Sequence, residues 1–183
     1  MTSARSRSHA AAPAAAREPD WEPFLPFRLE AGRGTFVSSG APGDRLRVAY
    51  FRRAREPRLV GRAWFGPGAE GPPGHAHGGS IAAVLDEAMG AAVWLDGRIA
   101  VAVRLVTEFR RMLPLGTDAL FEAWVTGTDG RKITARGHLL GAGGRPFAEA
   151  EGLFVEIDPA RFGDLLARAA RAQGVDPETL LRR

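Results

Sequence analysis

Residues 75–87 read His-Ala-His-Gly-Gly-Ser-Ile-Ala-Ala-Val-Leu-Asp-Glu. They put a histidine, His77, directly before two glycines, Gly78 and Gly79, and place an acid, Asp86, nine residues after that histidine. From Gly78 to Trp94 almost every residue is small or apolar, the pattern of a helix buried on nearly all sides. The first N–H groups of such a helix have no internal partner and carry the positive end of its dipole. With no side chain at Gly78, a ligand carbonyl can approach those donors closely and be polarised. Asp86 is flanked at helical spacing by Ala82, Ala83, Met89 and Gly90, which leaves room beside its carboxyl. A lone acid on an apolar helix is unfavourable unless it is used or paired. Each feature also has a plain structural reading: the glycines suit a tight turn from loop to helix, and Asp86 suits an ion pair with an arginine. Glu87 reads as a rim or interface residue.

The elements around this segment must position it. Trp21 to Phe27, with Pro23 and Pro26 between aromatic residues, suggests an irregular segment or short helix docking on the domain rather than a strand. Strands are expected over Arg45 to Arg53 and Arg58 to Phe65, with Glu56-Pro57 at the turn. Residues 66–77 are dense in Gly and Pro and form a loop, and a loop this long in a small domain is commonly functional. After Asp96-Gly97 the period changes to two: Ile99, Val101, Val103, Leu105 and Phe109 alternate with mostly small or charged residues, as in a strand with one face on a core. Three more strands are expected at hairpin spacing, Thr117 to Thr128, Lys132 to Leu140 and Pro146 to Ile157, completing a four-stranded meander. A helix should follow from Pro159, with Asp176-Pro177 opening a last turn. The expected domains are a disordered tail over 1–20, a folded unit over 21–158 and a helical extension over 159–183. A curved antiparallel sheet wrapped around one central helix satisfies this order of elements, an α+β architecture.

Composition narrows the function. The chain has 183 residues, of which 45% are hydrophobic and 25% charged, the balance of one globular domain. Its apolar stretches, such as Ile81 to Leu85, are far too short to span a bilayer, so no membrane association is expected. The absence of cysteine removes disulfides, thiolate nucleophiles and cysteine metal sites; a cytoplasmic location is the default expectation. Formal net charge is +4, but Arg5, Arg7 and Arg17 sit in an acid-free start; without those three, 22 of the 25 basic residues face 21 acidic ones. That near-balance argues against nucleic acid as a partner. His75 and His77 resemble half a zinc site, but a third ligand could come only from Asp86 or His138, neither at a diagnostic spacing, so no metal is expected.

Gly71-Pro-Pro-Gly-His-Ala-His77-Gly78-Gly79 together with Asp86-Glu87 resembles the signature of the hot-dog-fold acyl-CoA thioesterases, in the branch that includes the phenylacetate-pathway (PaaI-like) enzymes. That pattern is His-Gly-Gly with a carboxylate nine residues after the His, and the resemblance runs over roughly residues 45–157. It implies the hot-dog fold, hydrolysis of an acyl-CoA to free acid and CoA, and no cofactor. It also implies Asp86 as base or nucleophile, the two mechanisms remaining open, with the Gly78 N–H polarising the thioester carbonyl. His77 either positions the loop by a hydrogen bond or contacts the substrate. Gly79 is expected at the substrate, and Arg110 and Arg111, with Arg131 and Lys132 at a hairpin, are candidate anchors for the CoA phosphates. Gly78 and Asp86 are eight residues apart, roughly 12 Å along one helix at about 1.5 Å per residue, whereas attack needs about 3.5 Å. Two antiparallel helices across a twofold would bring Gly78 of one chain to Asp86 of the other, so a homodimer is expected, with a dimer of dimers open. In two places the chain departs from the pattern: where many members carry an asparagine it has Gly71 or its neighbours, and where several carry Ser or Thr it has Ala102. These departures motivate the alternative of a non-catalytic acyl-CoA-binding protein.

Overall fold

A computed structural model of the chain describes residues 18–24, 36–37 and 44–173. The expected tail falls almost wholly outside these residues, as does the turn expected at Asp176-Pro177. In chain order the elements are β1 (Trp21–Pro23), β2 (Leu46–Arg53), β3 (Leu59–Phe65), α1 (Gly78–Leu95), β4 (Ala100–Phe109), β5 (Asp118–Asp129), β6 (Lys132–Leu140), β7 (Pro146–Glu156) and α2 (Pro159–Gln173). The strands form one antiparallel sheet in the order β1-β2-β3-β5-β6-β7-β4, and α1 packs on its concave side. This is the curved sheet around a central helix that the hot-dog resemblance implies.

The sheet can hold the helix closely because its inner face is built of large residues beside very small ones. Leu85 and Met89 of α1 are fully buried, and a Cβ at Gly137 of β6 would lie 3.3–3.4 Å from them. Burying each such side chain contributes about 1.5–3 kcal/mol. Gly61 of β3 has no alternative, since a Cβ there would stand 2.2 Å from the Phe121 ring and 2.3 Å from the Ala49 carbonyl oxygen. The sheet covers α1 along Ile81, Val84, Leu85, Ala88, Ala91 and Ala92, whereas Ala83, Asp86, Glu87 and Gly90 on the other side are only half-buried.

Three expectations need correction. Trp21–Pro23 is a strand, paired antiparallel with β2. Trp21 is buried against Phe51 and Val60 on the outer face of the sheet, and a proline is tolerated because β1 is an edge strand. The four later strands are not a simple meander: β4 pairs with β7, while β5 pairs with β3. The crossing segment after β4 explains this, because Leu113 is buried and the Gly116 N–H donates to the Phe65 carbonyl at 2.8 Å, tying the chain back to β3 before β5 begins. Finally, β4 does not keep one apolar face inward. Its pairing with β7 shifts between Ala102 and Arg104, so Val103 is an extra, bulged residue that reverses the alternation. Leu105, Thr107 and Phe109 stand opposite Gly152, Ala150 and Ala148 on the helix side, while Val101 and Val103 are exposed.

Candidate active site

The Gly/Pro-rich loop before α1 is pinned along its length. Glu70 and Ala76 form one isolated bridge and His75 and Pro114 another. The Glu70 carboxylate accepts from the Gly74 N–H at 2.7 Å, and the His77 N–H donates to the Ala69 carbonyl at 2.7 Å. Gly71 is held so near His77 that a Cβ would lie 2.7 Å from its Cα. An asparagine side chain has no room there without a shift of the loop.

His77 is the N-cap of α1. Its Nδ1 accepts from the Gly79 N–H at 2.9 Å, so the hydrogen on a neutral ring is on Nε2, and its carbonyl accepts from both the N–H and the hydroxyl of Ser80. A capping side chain satisfies one of the orphan donors of the first turn. Here it satisfies Gly79, whose backbone N–H is therefore engaged within the chain, while among the described residues nothing accepts from the Gly78 N–H. Gly78 is also the place where a side chain would meet the Phe109 ring, 3.2 Å from an added Cβ. A groove of about 330 Å³ opens beside it, lined by Gly78, Ile81, Phe109, Arg110, Arg111 and Met112 among others.

Asp86 lies two helical turns further on. Burial, then the neighbouring Glu87 charge, pushes its carboxyl above the usual aspartate range. Among the described residues it has no hydrogen-bond or ion-pair partner, which excludes the arginine pairing there. Its neighbour is differently placed: the Tyr50 hydroxyl of β2 donates to Glu87 Oε1 at 2.7 Å. Of two adjacent acids, one is anchored and the other is left with a raised proton affinity. Within one chain Asp86 and Gly78 are held apart by the rigid helix, roughly 12 Å along its axis.

The arginines border the groove but are engaged. Arg110 donates to Glu149 at 2.6 Å and also pairs with Glu108, and the Glu149 hydrogen bond raises its pKa further. Arg111 donates to the carbonyls of Pro146 and Arg145 and lies over the Phe147 ring. Arg131 donates to the Glu156 carbonyl at the far end of the sheet. His138 stands against Trp124 and Glu149 on the outer face, with the sheet between it and Asp86. Sequence reasoning did not single out Tyr50 or the contact of Phe109 with Gly78. Tyr50 is the chain's only tyrosine, on the inward side of an expected strand, and that was the one signal available.

Residues 73–147 match the family model of the thioesterase superfamily, and the fold is the hot-dog fold of that superfamily. Acyl-coenzyme A thioesterase THEM4 of Xenopus laevis is 38% identical over 84 residues, 45% of this chain and 37% of that protein. The chain spans about two fifths of the length of the first curated relatives it matches. A solved thioesterase superfamily protein shares 32% identity and superposes with a TM-score of 0.56 over 60% of this chain and 53% of that one. The Escherichia coli PaaI protein from the phenylacetic acid degradation operon, at 18% identity, shares the fold with a TM-score of 0.55 over 62% of this chain and 80% of its own.

Proposed function

We propose that this chain, which carries its thioesterase-superfamily segment on a hot-dog fold, hydrolyses acyl-CoA thioesters to the free acid and CoA. The observation that carries the reading is Asp86: a half-buried carboxyl of raised proton affinity with no partner among the described residues, on the same helix as a Gly78 N–H that nothing among them accepts from. In a twofold dimer with antiparallel α1 helices, Gly78 of the partner subunit polarises the thioester carbonyl. Asp86 then either takes a proton from the attacking water or attacks the carbonyl itself to give an anhydride that water cleaves; both routes release CoA as the thiol. His77 is a positioning residue in this scheme, because its ring holds Gly79 and so presents the Gly78 N–H to solvent. The groove beside Gly78, with Arg110 and Arg111 at its border, supports the CoA side of the site there.

The dimer has support of its own in β4. This edge strand exposes apolar side chains on both faces, among them Val101, Val103, Leu105 and Phe109, where a solvated edge would carry charge. A second copy pairing along β4 covers them and lies beside the uncovered side of α1.

The test is thiol release from a panel of aliphatic and aromatic acyl-CoAs by the wild-type protein and Asp86→Asn. Turnover should fall by about 10²–10⁴-fold in the variant while acyl-CoA still binds. No turnover on any thioester, or an unaffected variant, overturns the reading. Tight binding without hydrolysis would select the non-catalytic alternative, which draws on two observations: Gly71 has no space for a polar side chain, and Ala102 offers no hydroxyl.

A further inference from the structure

Glu87 is the acid that the thioesterase reading leaves unused, and the structure holds it in place through several elements. Its partner Tyr50 is buried and set edge-on to Phe121, ring centroids 5.5 Å apart. Phe121 in turn occupies the space left free by Gly61, and its ring is fully buried. The hydroxyl that meets Glu87 therefore sits on a buried ring packed against Phe121, and the 2.7 Å hydrogen bond spans from β2 to the middle of α1.

Among the described residues, the strands packed on this stretch of helix face it mainly with apolar side chains. Among the described residues, the side chains that β3, β5, β6 and β7 bury against α1 are apolar, as with Phe65, Phe121, Ile133, Leu139 and Phe154, and β4 offers Leu105, Thr107 and Phe109. Nearby arginines and acids, such as Arg53 with Glu122, Arg136 with Glu151 and Arg110 with Glu149, pair on the outer side of the sheet. Tyr50 is the titratable side chain that β2 sends to the helix at this level. Among the described residues, the charge that acts on Asp86 is that of its own neighbour, one residue along and about 100° around the helix.

We propose that Glu87, fixed by Tyr50, is a positioning residue for Asp86: a tethered negative charge beside the reacting carboxyl that keeps Asp86 a competent proton acceptor. This rests on the thioesterase reading for its catalytic meaning, but the charge coupling it asserts is a property of the folded chain. Burial is the larger influence on Asp86 and Glu87 the second, so removing the neighbour's charge should lower the Asp86 pKa without returning it to the ordinary value.

The experiment is Glu87→Gln, which keeps an oxygen acceptor for Tyr50 and removes the charge. The Asp86 carboxyl is titrated directly by carbon-13 NMR, alongside the pH dependence of kcat/KM for an acyl-CoA that the wild type hydrolyses. The expected result is an Asp86 titration displaced to lower pH by about 0.5–1 unit, as for two partly solvated charges on adjacent residues, and an acid limb of kcat/KM displaced with it. Asp118→Asn, which removes a carboxylate paired with Arg62 on the outer face, should leave both unchanged. An Asp86 titration unmoved in Glu87→Gln, or moved equally by Asp118→Asn, overturns the proposal. A displaced titration in a protein that hydrolyses no thioester would uphold the coupling and count against the thioesterase reading alone.

Discussion

At the scale of single residues, the site sets Asp86, an acid with no partner among the described residues, beside Glu87, which Tyr50 anchors. Asp86 should therefore trade stability for reactivity. Its proton affinity is raised in the folded chain, so the folded state binds that proton more tightly than the unfolded one, and the associated stability is present at low pH and lost as pH rises through the folded-state pKa. Asp86→Asn, neutral throughout, should raise Tm at pH 7, on the order of 1–2 °C, while hydrolysis collapses. Calorimetry beside the thiol assay measures both, and a variant that loses activity together with stability would assign Asp86 to the fold instead. The catalytic pH profile follows from the same shift: only ionised Asp86 can accept a proton, so kcat/KM should decline on the acid side above the pH of an ordinary aspartate. That His77 caps the helix bearing Gly78 and Asp86 could be read from sequence because it depends on spacing along one helix. Tyr50 could not be linked to Glu87, since their contact joins residues 37 positions apart and needs the sheet to be assembled first.

At the scale of elements, α1 and its cap are the part most fully written in local sequence. The helix was expected from Gly78 to Trp94 and runs to Leu95, because helical periodicity, the capping residue and the Asp96-Gly97 stop all act within a few residues. The capping role yields a separable prediction. His77→Ala removes the acceptor for Gly79 and should destabilise the fold by about 1 kcal/mol, or roughly 2–4 °C in Tm. His77→Asn, able to cap, should recover most of that stability in thermal melts. If the asparagine variant regains stability but not turnover, the ring acts on the substrate and not only on the helix. The strands were less legible. β1 was obscured by Pro23, whose missing N–H matters less on an edge. The bulge at Val103 leaves no mark in the alternating pattern around it, so β4 reads as a regular half-buried strand although it is neither regular nor half-buried. The place of β4 beside β7 was equally hidden, since strand order depends on where the connection through Leu113 and Gly116 is anchored.

At the scale of the whole molecule, the proposed reading has one chain supply two incomplete halves of a site, and the sheet ends in an edge at β4. Charge placed on that edge should keep copies apart. Val101→Arg combined with Val103→Arg, both at exposed positions, is expected to shift the protein to monomer in sedimentation experiments with α1 and the core intact, and to reduce hydrolysis at least 10²-fold. A monomer of undiminished activity would show that one chain completes the site unaided. The helix carries a last consequence. In the proposed dimer each α1 begins in one site and passes through the other, a stiff rod whose two working points cannot move independently. A thioester drawing the start of the rod toward it by a fraction of an ångström also displaces the acid serving the opposite site. The two sites should then communicate, and saturation curves should depart from simple hyperbolae, with the second acyl-CoA bound on different terms from the first.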